Sequence, residues 1–596
     1  MEQYKEPEYN ITWPEDRVFP QFRYPEELLV VDLRGTDFSN DYRHLVLTSL
    51  QGLVNRESPR IYIIYTDLDE DWLKTLRKYT KIKMQHVSMD VILEKFSNYA
   101  RGYIAYDPRL PDTVNIATTM AGLYNCIVVH PKDISWVESY GLKKVYDLKG
   151  KFKNRYEAYL WAYENLWPKC DHRLLVPMCP GPPIEQRIMQ VAVRDYVVAL
   201  KLFVHYLDPK DPMERDLFIR LLRDMPPNTA VLGWYGEDEL LTVHLASCYN
   251  KFVVVMTHHY GPLSFPNPTV WSGITVSSEP KFKLPPIRGK LLGGKKIYVT
   301  FYITDGDNLQ FDYSFKKFWD DPNRGKIPIA WTISPFLVDV APFIAWYYVS
   351  TASENDTFIS GPSGAGYWYP CSNPNYVETQ LKVTKRYFLR TELKFTEILG
   401  YNDDAASRYM KMLDLIAIKM EYDELRREYF TMHNYICAKY LIEYPIPVIF
   451  GVYHYSGKSA DKLVEEITAL KDLDRRPVFA LVISQPGDFS VGGLAKLKEV
   501  VDRLAKITDI AFINFHEFST LLNPKYGYMI LSNLLGKIKS PERQKRVKEE
   551  LSLAEDLMKK HLWKDAALHI NNAFQHVDVT IEDKNEAKPS NTSDTV

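Results

Sequence analysis

Cysteine is scarce in this sequence, and the few cysteines are not paired. Six are scattered over 596 residues with no C-x-x-C spacing, at Cys126, Cys170, Cys179, Cys248, Cys371 and Cys437. This distribution argues against a zinc ribbon and against a disulfide framework. We therefore predict reduced and mostly buried thiols.

Net charge and long apolar runs are also missing. The 74 basic and 76 acidic residues nearly cancel, which leaves a formal charge of −2 and no basic surface of the kind that binds nucleic acid. No apolar run reaches membrane-spanning length, and the first residues lack the apolar core of a signal peptide. The expected partners therefore include no nucleic acid and no membrane, and the expected location is cytoplasmic.

What the sequence does contain is typical of a soluble protein with several domains. Apolar residues make up 46% and charged residues 25% of a chain that is too long for one core. The 41 Tyr and 12 Trp fit a protein that binds a polar ligand, and equally a well-packed core.

The order of predicted elements gives an α/β fold. Strands alternate with helices in the first half, including a long helix over residues 184–206, which predicts small N-terminal α/β units. After a Pro- and Gly-rich linker at 279–296, seven or eight strands alternate with helices. This pattern predicts a TIM-like (β/α) barrel, with an open doubly wound sheet as the competing topology, and a helical extension follows.

The predicted domain boundaries follow from these shifts in pattern. They are an N-terminal α/β region at 1–170, a second α/β unit with the linker at 171–290, the barrel at 291–525, C-terminal helices at 526–580, and a disordered tail at 581–596.

Two carboxylates stand where the first barrel strand ends. The strand over residues 297–304 is β-branched and aromatic, and Asp305 and Asp307 follow it around Gly306. Two close carboxylates repel, so the pKa of one rises, as acid/base catalysis on a glycosidic bond requires. The same pair is suited to a hard cation. A plain Asp-Gly turn with Asn308 as a helix cap is the third interpretation.

A glycine-hinged loop with three aromatic rings follows another short strand. Gly364 and Gly366 permit tight turns, and Tyr367, Trp368 and Tyr369 come directly after them. Aromatic faces stack on sugar rings, although the same rings can plug a barrel core. The loop lacks the lysine and spacing of a phosphate-binding loop.

Further polar side chains follow later strands of the predicted barrel. These are His454, Asp488, His516 and Glu517. Because the carboxyl ends of barrel strands meet at one face, we expect them near the two aspartates.

Two features precede the linker. The acids at 237–239 open a helix, where the helix dipole favours them. His258 and His259 end a strand and are interpreted as a surface loop or a loop leaning over the site; metal binding is the alternative.

The motifs identify a family resemblance. Residues 364–370 (GAGYWYP) match the motif that names the GxGYxYP family of glycoside hydrolases, and 305–308 (DGDN) is similar to its second hallmark. Residues 50–56 (LQGLVNR), 59–62 (PRIY) and 115–123 (NIATTMAGL) resemble its N-terminal region. The similarity runs from about residue 29 to about residue 522.

This resemblance implies a glycoside hydrolase or a closely related carbohydrate-active protein, and thus a carbohydrate substrate. The site roles are hypotheses from the residues themselves and their positions at strand ends. Asp305 and Asp307 would supply acid/base catalysis or substrate hydrogen bonds, with Asn308 orienting hydroxyls. The rings of Tyr367, Trp368 and Tyr369 would form a sugar platform, alongside His454 and His516. Asp488 and Glu517 are the candidates for the opposing carboxylate. Members of this family are often exported, which is the alternative to a cytoplasmic location.

Two other functions fit the same residues. One is a metal-dependent, deacetylase-like hydrolase that uses an aspartate with His454 or His516, and the other is a non-catalytic carbohydrate-binding protein. No cofactor is expected. Metal occupancy, oligomeric state, the sugar and its linkage are left open, as is retaining or inverting chemistry, which carboxyl separations of about 5–5.5 Å and about 6.5–9.5 Å would distinguish.

Overall fold

The computed structural model describes residues 4–181, 191–236, 238–257, 265–420, 426–577 and 580–581. Glu237, His258 and His259 lie outside these residues, as does the predicted tail beyond Ile581.

The first unit is a three-stranded parallel sheet in the order β2-β1-β3. Its elements are β1 (Glu27–Asp32), α1 (Arg43–Asn55), β2 (Ile61–Ile64), α2 (Asp67–Tyr79), β3 (Lys83–His86) and α3 (Met89–Phe96). Strand β2 is buried along its whole length because α1 and α2 pack on the sheet.

The second unit repeats this arrangement in the order β5-β4-β6. Its elements are β4 (Tyr103–Ala105), α4 (Thr113–Tyr124), β5 (Ile127–Val129), α5 (Ile134–Ser139), β6 (Lys144–Asp147) and α6 (Arg155–Asn165). The predicted region 1–170 thus contains two separate small sheets.

The third unit is a four-stranded parallel sheet in the order β10-β9-β7-β8. Its elements are β7 (Leu174–Pro177), α7 (Arg194–Leu200), β8 (Phe203–His205), α8 (Pro212–Asp224), β9 (Thr229–Val231), α9 (Glu239–Cys248), β10 (Lys251–Val253) and α10 (Pro268–Trp271). The single helix expected over 184–206 was wrong: β8 occupies its last part, where Phe203 and Val204 join the sheet.

Helices α1, α4 and α7, the first helix of each unit, meet at a common centre, which we call the three-helix junction. Two glycines allow the close approach. A Cβ on Gly52 of α1 would lie 2.5 Å from the carbonyl oxygen of Asp195, and one on Gly122 of α4 would lie 3.1 Å from that of Val198. The three units therefore pack through these helices, and α1 and α4 also contact strands β5 and β8 of the following unit.

A larger sheet follows the linker. Strand β11 (Ile287–Arg288) lies in the linker and belongs to a separate two-stranded sheet. The larger sheet and its helices begin with β12 (Ile297–Ile303), α11 (Leu309–Ser314), α12 (Lys316–Trp319), β13 (Ile329–Ile333), α13 (Leu337–Val340), α14 (Pro342–Thr351), β14 (Asp356–Ser360), α15 (Val377–Thr391), β15 (Phe395–Ile398), α16 (Asp403–Met412) and β16 (Ala417–Met420). The next are α17 (Arg427–Met432), β17 (Ala438–Lys439), β18 (Val448–Ile449), β19 (Tyr453–His454), α18 (Ala460–Thr468), β20 (Val478–Ser484), α19 (Gly493–Leu504), β21 (Ile510–Phe512) and α20 (Phe515–Leu522).

The strands of this sheet run in the order β17-β18-β16-β15-β14-β13-β12-β20-β19, with β21 beside the start of β12. Apart from the antiparallel pair β17–β18, the pairings are parallel. Every residue of β12, β13 and β14 is buried, because helices cover a parallel sheet on both faces.

The sheet curls into a half-barrel. One continuous segment starts as β18, which pairs with β16, and ends as β19, which pairs with β20. The fold is therefore mixed α/β with parallel sheets, as predicted, whereas the pairings do not establish a complete TIM barrel.

Helices continue to the end of the described chain: α21 (Pro524–Leu534), α22 (Pro541–Lys559) and α23 (Trp563–Phe574), before strand β22 (Thr580–Ile581). Helix α23 packs on α20, α21 and α22, and β22 pairs antiparallel with β11. Among the described helices, none combines the length and the apolar character needed to cross a membrane.

Candidate functional site

A strained turn follows β12 and presents two carboxylates. Asp305 adopts a left-handed backbone with φ of 74°, which is uncommon outside glycine. Gly306 presses against β13, where its N–H donates to Thr332 Oγ1 at 2.7 Å and a Cβ would lie 2.0 Å from the Thr332 carbonyl oxygen. The turn is therefore fixed by backbone packing, and such strain is often found at functional sites.

Five carboxylates influence one another here; we call them the acidic cluster: Glu239, Asp305, Asp307, Glu397 and Asp488. Burial, followed by the charges of Glu239, Glu397 and Asp488, raises the pKa of Asp305 to about 7. Burial and the charge of Asp305 raise the pKa of Asp307 well above its usual range. Both carboxyl groups therefore keep their protons to higher pH than an exposed aspartate does.

Asp305 and Asp307 differ in access. Part of the Asp305 side chain is exposed, although protein surrounds the carboxyl group. Asp307 is buried: its Oδ1 accepts from Asn308 Nδ2 at 3.2 Å, while Oδ2 has no hydrogen-bond partner among the described residues. Of the two residues, Asp305 is therefore the more accessible.

The acidic cluster combines residues from distant parts of the chain. Glu397 lies in β15, Asp488 follows β20, and Glu239 opens α9 in the third N-terminal unit. Carboxyl ends of parallel strands meet at one edge, which explains why residues distant in sequence converge there. The sequence pattern predicts only a helix-dipole position for Glu239, so sequence reasoning missed its place in the acidic cluster.

A buried ion pair supports Glu397. Lys419 Nζ lies 2.9 Å from Glu397 Oε1, both side chains are fully buried, and the Tyr302 hydroxyl donates to Glu397 Oε2. The Lys419 ammonium also lies 4.8 Å from the centre of the Tyr302 ring. Sequence reasoning missed Glu397 and Lys419; the signal was a charged residue inside an otherwise apolar buried strand.

Two tyrosine hydroxyls of the glycine-hinged loop also reach the cluster. Tyr367 donates to Glu239 Oε1 at 2.8 Å, and its hydroxyl lies 2.9 Å from that of Tyr369. Two backbone hydrogen bonds of 2.8 Å between Tyr367 and Val253 hold the loop in place. The pKa of Tyr369 is raised to about 12 by burial, with contributions from Glu239 and Asp307.

Trp368 points the other way. It is 1% exposed, its Nε1 donates to the Ser363 carbonyl at 2.9 Å, and its ring stacks on Tyr409. The structure therefore places it in the core rather than on a sugar platform, and separates it from the two tyrosines.

Trp368→Leu tests this separation. We expect a loss of about 2–4 kcal/mol in unfolding free energy, because the smaller side chain leaves a cavity and the Ser363 carbonyl keeps only the Tyr409 hydroxyl of its two donors. Activity per folded molecule should stay within about twofold. Chemical denaturation and active-site titration measure the two quantities; Tyr369→Phe is the matched variant that should affect activity more than stability.

Asp488 is held by two partners at the end of β20. His454 Nε2 lies 2.8 Å from its Oδ2, which also accepts the backbone N–H of Gln485 at 2.8 Å. His454 and Asp488 are both partly accessible. The structure thus brings this predicted pair to the acidic cluster.

His516 and Glu517 lie elsewhere. Glu517 accepts two hydrogen bonds from the Arg288 guanidinium, and Arg288 also contacts Asn355, which immediately precedes β14. His516 binds the Pro285 carbonyl and the Tyr526 hydroxyl. The structure does not bring this pair to Asp305, because it sits at the amino-terminal edge of the sheet.

Asn308 is buried at the start of α11. It occupies the N-cap position of α11, as the turn interpretation predicts, but its side chain makes no capping hydrogen bond. Its Oδ1 lacks a partner among the described residues and lies beside Asp307. Within the same described part of the chain, no group of three or more His, Cys, Asp or Glu residues is arranged to hold a metal ion.

Comparison with known proteins gives one structural neighbour and one family. A crystal structure of a putative hydrolase from Bacteroides thetaiotaomicron VPI-5482 matches with a TM-score of 0.70 and 20% identity, over 86% of this chain and 99% of that one. This likeness shows the fold. No curated protein matches the chain.

Family models match in four consecutive stretches. The first, second and third N-terminal domains of the GxGYxYP family match residues 27–98, 100–170 and 172–267. The model described as "GxGYxYP putative glycoside hydrolase C-terminal domain" matches residues 295–523. Together these matches span most of the sequence, and the chain belongs to the GxGYxYP family.

Proposed function

We propose that this protein is a glycoside hydrolase, or a closely related carbohydrate-active hydrolase, that acts through carboxylates at the mouth of a TIM-like barrel. The single observation that carries the proposal is Asp305, a partly accessible residue whose carboxyl group lies among other carboxylates, with its pKa raised by burial to about 7. A group with this pKa can donate a proton to a leaving glycosidic oxygen at neutral pH.

The barrel geometry is supported by the segment that starts as β18 and ends as β19. It links β16 to β20 and continues the curl of the sheet towards closure. Active sites of such barrels lie at the carboxyl ends of the strands, where the acidic cluster is.

Asp305 is the proposed general acid and Asp488 the proposed opposing carboxylate. Asp488 is held by His454 and the Gln485 N–H, which leaves its second oxygen available to substrate or water. Paired carboxylates with different environments are the standard means of hydrolysing a glycosidic bond.

The remaining polar groups are proposed to bind sugar hydroxyls. Asp307 Oδ2, which has no partner among the described residues, would contact a sugar hydroxyl, and Asn308 offers an amide oxygen beside it. Glu239 with the hydroxyls of Tyr367 and Tyr369 forms a second polar surface. These hydroxyls, rather than three stacked ring faces, would fix the orientation of the sugar.

The pH dependence of hydrolysis tests the role of Asp305. Because the acid must be protonated, kcat/KM should fall as pH rises through about 7, by about tenfold per pH unit at higher pH. A rate that stays constant from pH 6 to 9 would contradict the assignment.

A substrate screen tests the proposed function itself. Glycans and aryl glycosides are incubated with the wild type and Asp305→Asn, with and without EDTA. Turnover that resists EDTA and disappears in the variant supports the proposal. Loss of turnover on chelation would favour a metal-dependent hydrolase, and saturable glycan binding with no turnover in either protein would favour a binding protein.

A further inference from the structure

Two buried arginines lie at opposite ends of the three-helix junction. Arg56 follows the last residue of α1, and Arg194 is the first residue of α7. Both side chains are removed from solvent, at 2% and 0% exposure. Neither forms an ion pair within the described part of the chain, so hydrogen bonds must satisfy their donors.

All three guanidinium nitrogens of Arg56 donate hydrogen bonds. Its Nε donates to the Ala199 carbonyl at 3.0 Å, its Nη1 to Asn125 Oδ1 at 2.5 Å, and its Nη2 to the carbonyls of Gly122 and Val198. These acceptors lie at the carboxyl ends of α4 and α7, where helix dipoles favour a cation. Arg56 therefore needs no ligand to satisfy its guanidinium nitrogens.

Arg194 is not satisfied in this way. Its Nε donates to Thr118 Oγ1 at 3.1 Å, but neither Nη1 nor Nη2 has a hydrogen-bond partner among the described residues. The adjacent Asp195 does not pair with Arg194, because its Oδ2 accepts hydrogen bonds from the hydroxyl group and the backbone N–H of Thr269. A cation is thus buried at the amino-terminal side of the junction, where helix dipoles disfavour it.

The surroundings of Arg194 supply further polar groups. Its charge acts on His44, Tyr65 and Tyr106, which come from α1 and from the residues that follow β2 and β4. His44 Nδ1 lies 3.0 Å from the Asp41 carbonyl oxygen and must donate to it, while His44 Nε2 is buried with no partner in the described chain. With the proton on Nδ1, His44 Nε2 is a hydrogen-bond acceptor, so it can accept from a protonated oxygen of a ligand but cannot donate to an anion.

We propose that the three-helix junction binds a small oxyanion, a carboxylate or phosphate group, through Nη1 and Nη2 of Arg194. The planar guanidinium fork matches two oxygens of such a group. Complete burial of Arg194 restricts the ligand to a small ion, and its charge would neutralise the cation and the helix dipoles together. The three units would then share one ligand at their common centre, away from the acidic cluster.

The first test measures which anions the purified protein contains. Wild-type protein purified in phosphate or acetate buffer and transferred to chloride buffer is denatured in acid, and the released anions are measured by ion chromatography. About one oxyanion per chain is expected from the wild type and none from Arg194→Met. Release of no oxyanion from the wild type, or equal release from both proteins, would overturn the proposal.

The second test measures linkage to stability. Melting temperature is recorded against phosphate, sulfate and acetate at constant ionic strength, with chloride making up the balance. The wild type should gain a few degrees with increasing oxyanion, because a ligand that binds only the folded state stabilises it. Arg194→Lys, which keeps the charge but loses the fork, should gain much less.

Arg56→Met is the matched control. It should lower the baseline melting temperature, because four acceptors lose their donor, yet keep the same gain from oxyanion. If Arg194→Met does not fold, isothermal titration of the wild type with phosphate and acetate tests oxyanion binding instead. Absence of saturable binding there, together with a melting temperature that responds only to ionic strength, would mean that ordinary buried water satisfies Arg194.

Discussion

Asp305→Asn is expected to abolish most hydrolysis while making the protein more stable at alkaline pH. Removal of a general acid lowers the rate by about 10²–10⁴-fold. The stability gain follows from the pKa of about 7 against an ordinary value of 3.8. The folded state holds its proton more tightly, so ionisation of Asp305 costs stability as pH rises from about 4 through 7.

The size of this gain is bounded by the same shift. At pH 8 it is at most roughly 4 kcal/mol, and it disappears below about pH 4, where the carboxyl group is protonated in both states. Urea denaturation of the wild type and the variant at pH 4, 6 and 8 measures it. The difference in unfolding free energy should grow with pH; a constant difference would mean that the pKa of Asp305 is not raised.

Glu517→Gln is the matched control for this experiment. It weakens the buried pair with Arg288, so we expect lower stability at every pH and unchanged activity per folded molecule. If Glu517→Gln abolished turnover and Asp305→Asn did not, the assignment of the site to the carboxyl ends of the strands would fail.

Lys419→Met is expected to destabilise the protein by about 3–5 kcal/mol, because it leaves the Glu397 carboxylate buried without its cation. The double variant with Glu397→Gln should recover most of that loss, since no buried charge remains. A double-mutant cycle on unfolding free energies gives the coupling between the two positions.

Activity separates structure from chemistry in the same cycle. If Glu397 contributes only to folding, the recovered double variant should hydrolyse substrate at the wild-type rate. We expect it to remain impaired, and the alkaline limit of its pH profile to shift downward, because the charge of Glu397 helps to raise the pKa of Asp305. Additive losses of stability would contradict the proposed pairing.

The parts of the site that could be predicted from sequence were those at strand ends. The strand over 297–304 is observed as β12 (Ile297–Ile303), and the carboxylates after it lie at the sheet edge where a parallel topology places them. The same reasoning correctly predicts that Asp488 lies at this edge, because β20 pairs with β12 over its full length.

Glu517 shows why the strand-end argument can fail. Strand β21 is short and pairs only with the first three residues of β12, so its end lies level with Val299 rather than with Ile303. A residue that follows β21 therefore emerges at the opposite edge. Strand register depends on long-range pairing, and the local pattern does not contain it.

Trp368 and Glu239 show the same limit for side-chain direction. Alternate residues of an extended segment point to opposite sides, so Tyr367 and Tyr369 share a face that Trp368 does not. The contact between Tyr367 and Val253, a residue more than a hundred positions away, determines which of these faces packs into the core. Glu239 belongs to the same third N-terminal unit as Val253, so its position also depends on long-range packing.

The position of Glu239 has a consequence for working with fragments of this protein. A recombinant piece that begins in the linker would keep the strands and most of the acids, but Tyr367 would lose its acceptor and the loop its backbone anchor on β10. Catalytic competence would then belong to the whole polypeptide rather than to its C-terminal half, so duplication or exchange of that half alone would not transfer the activity.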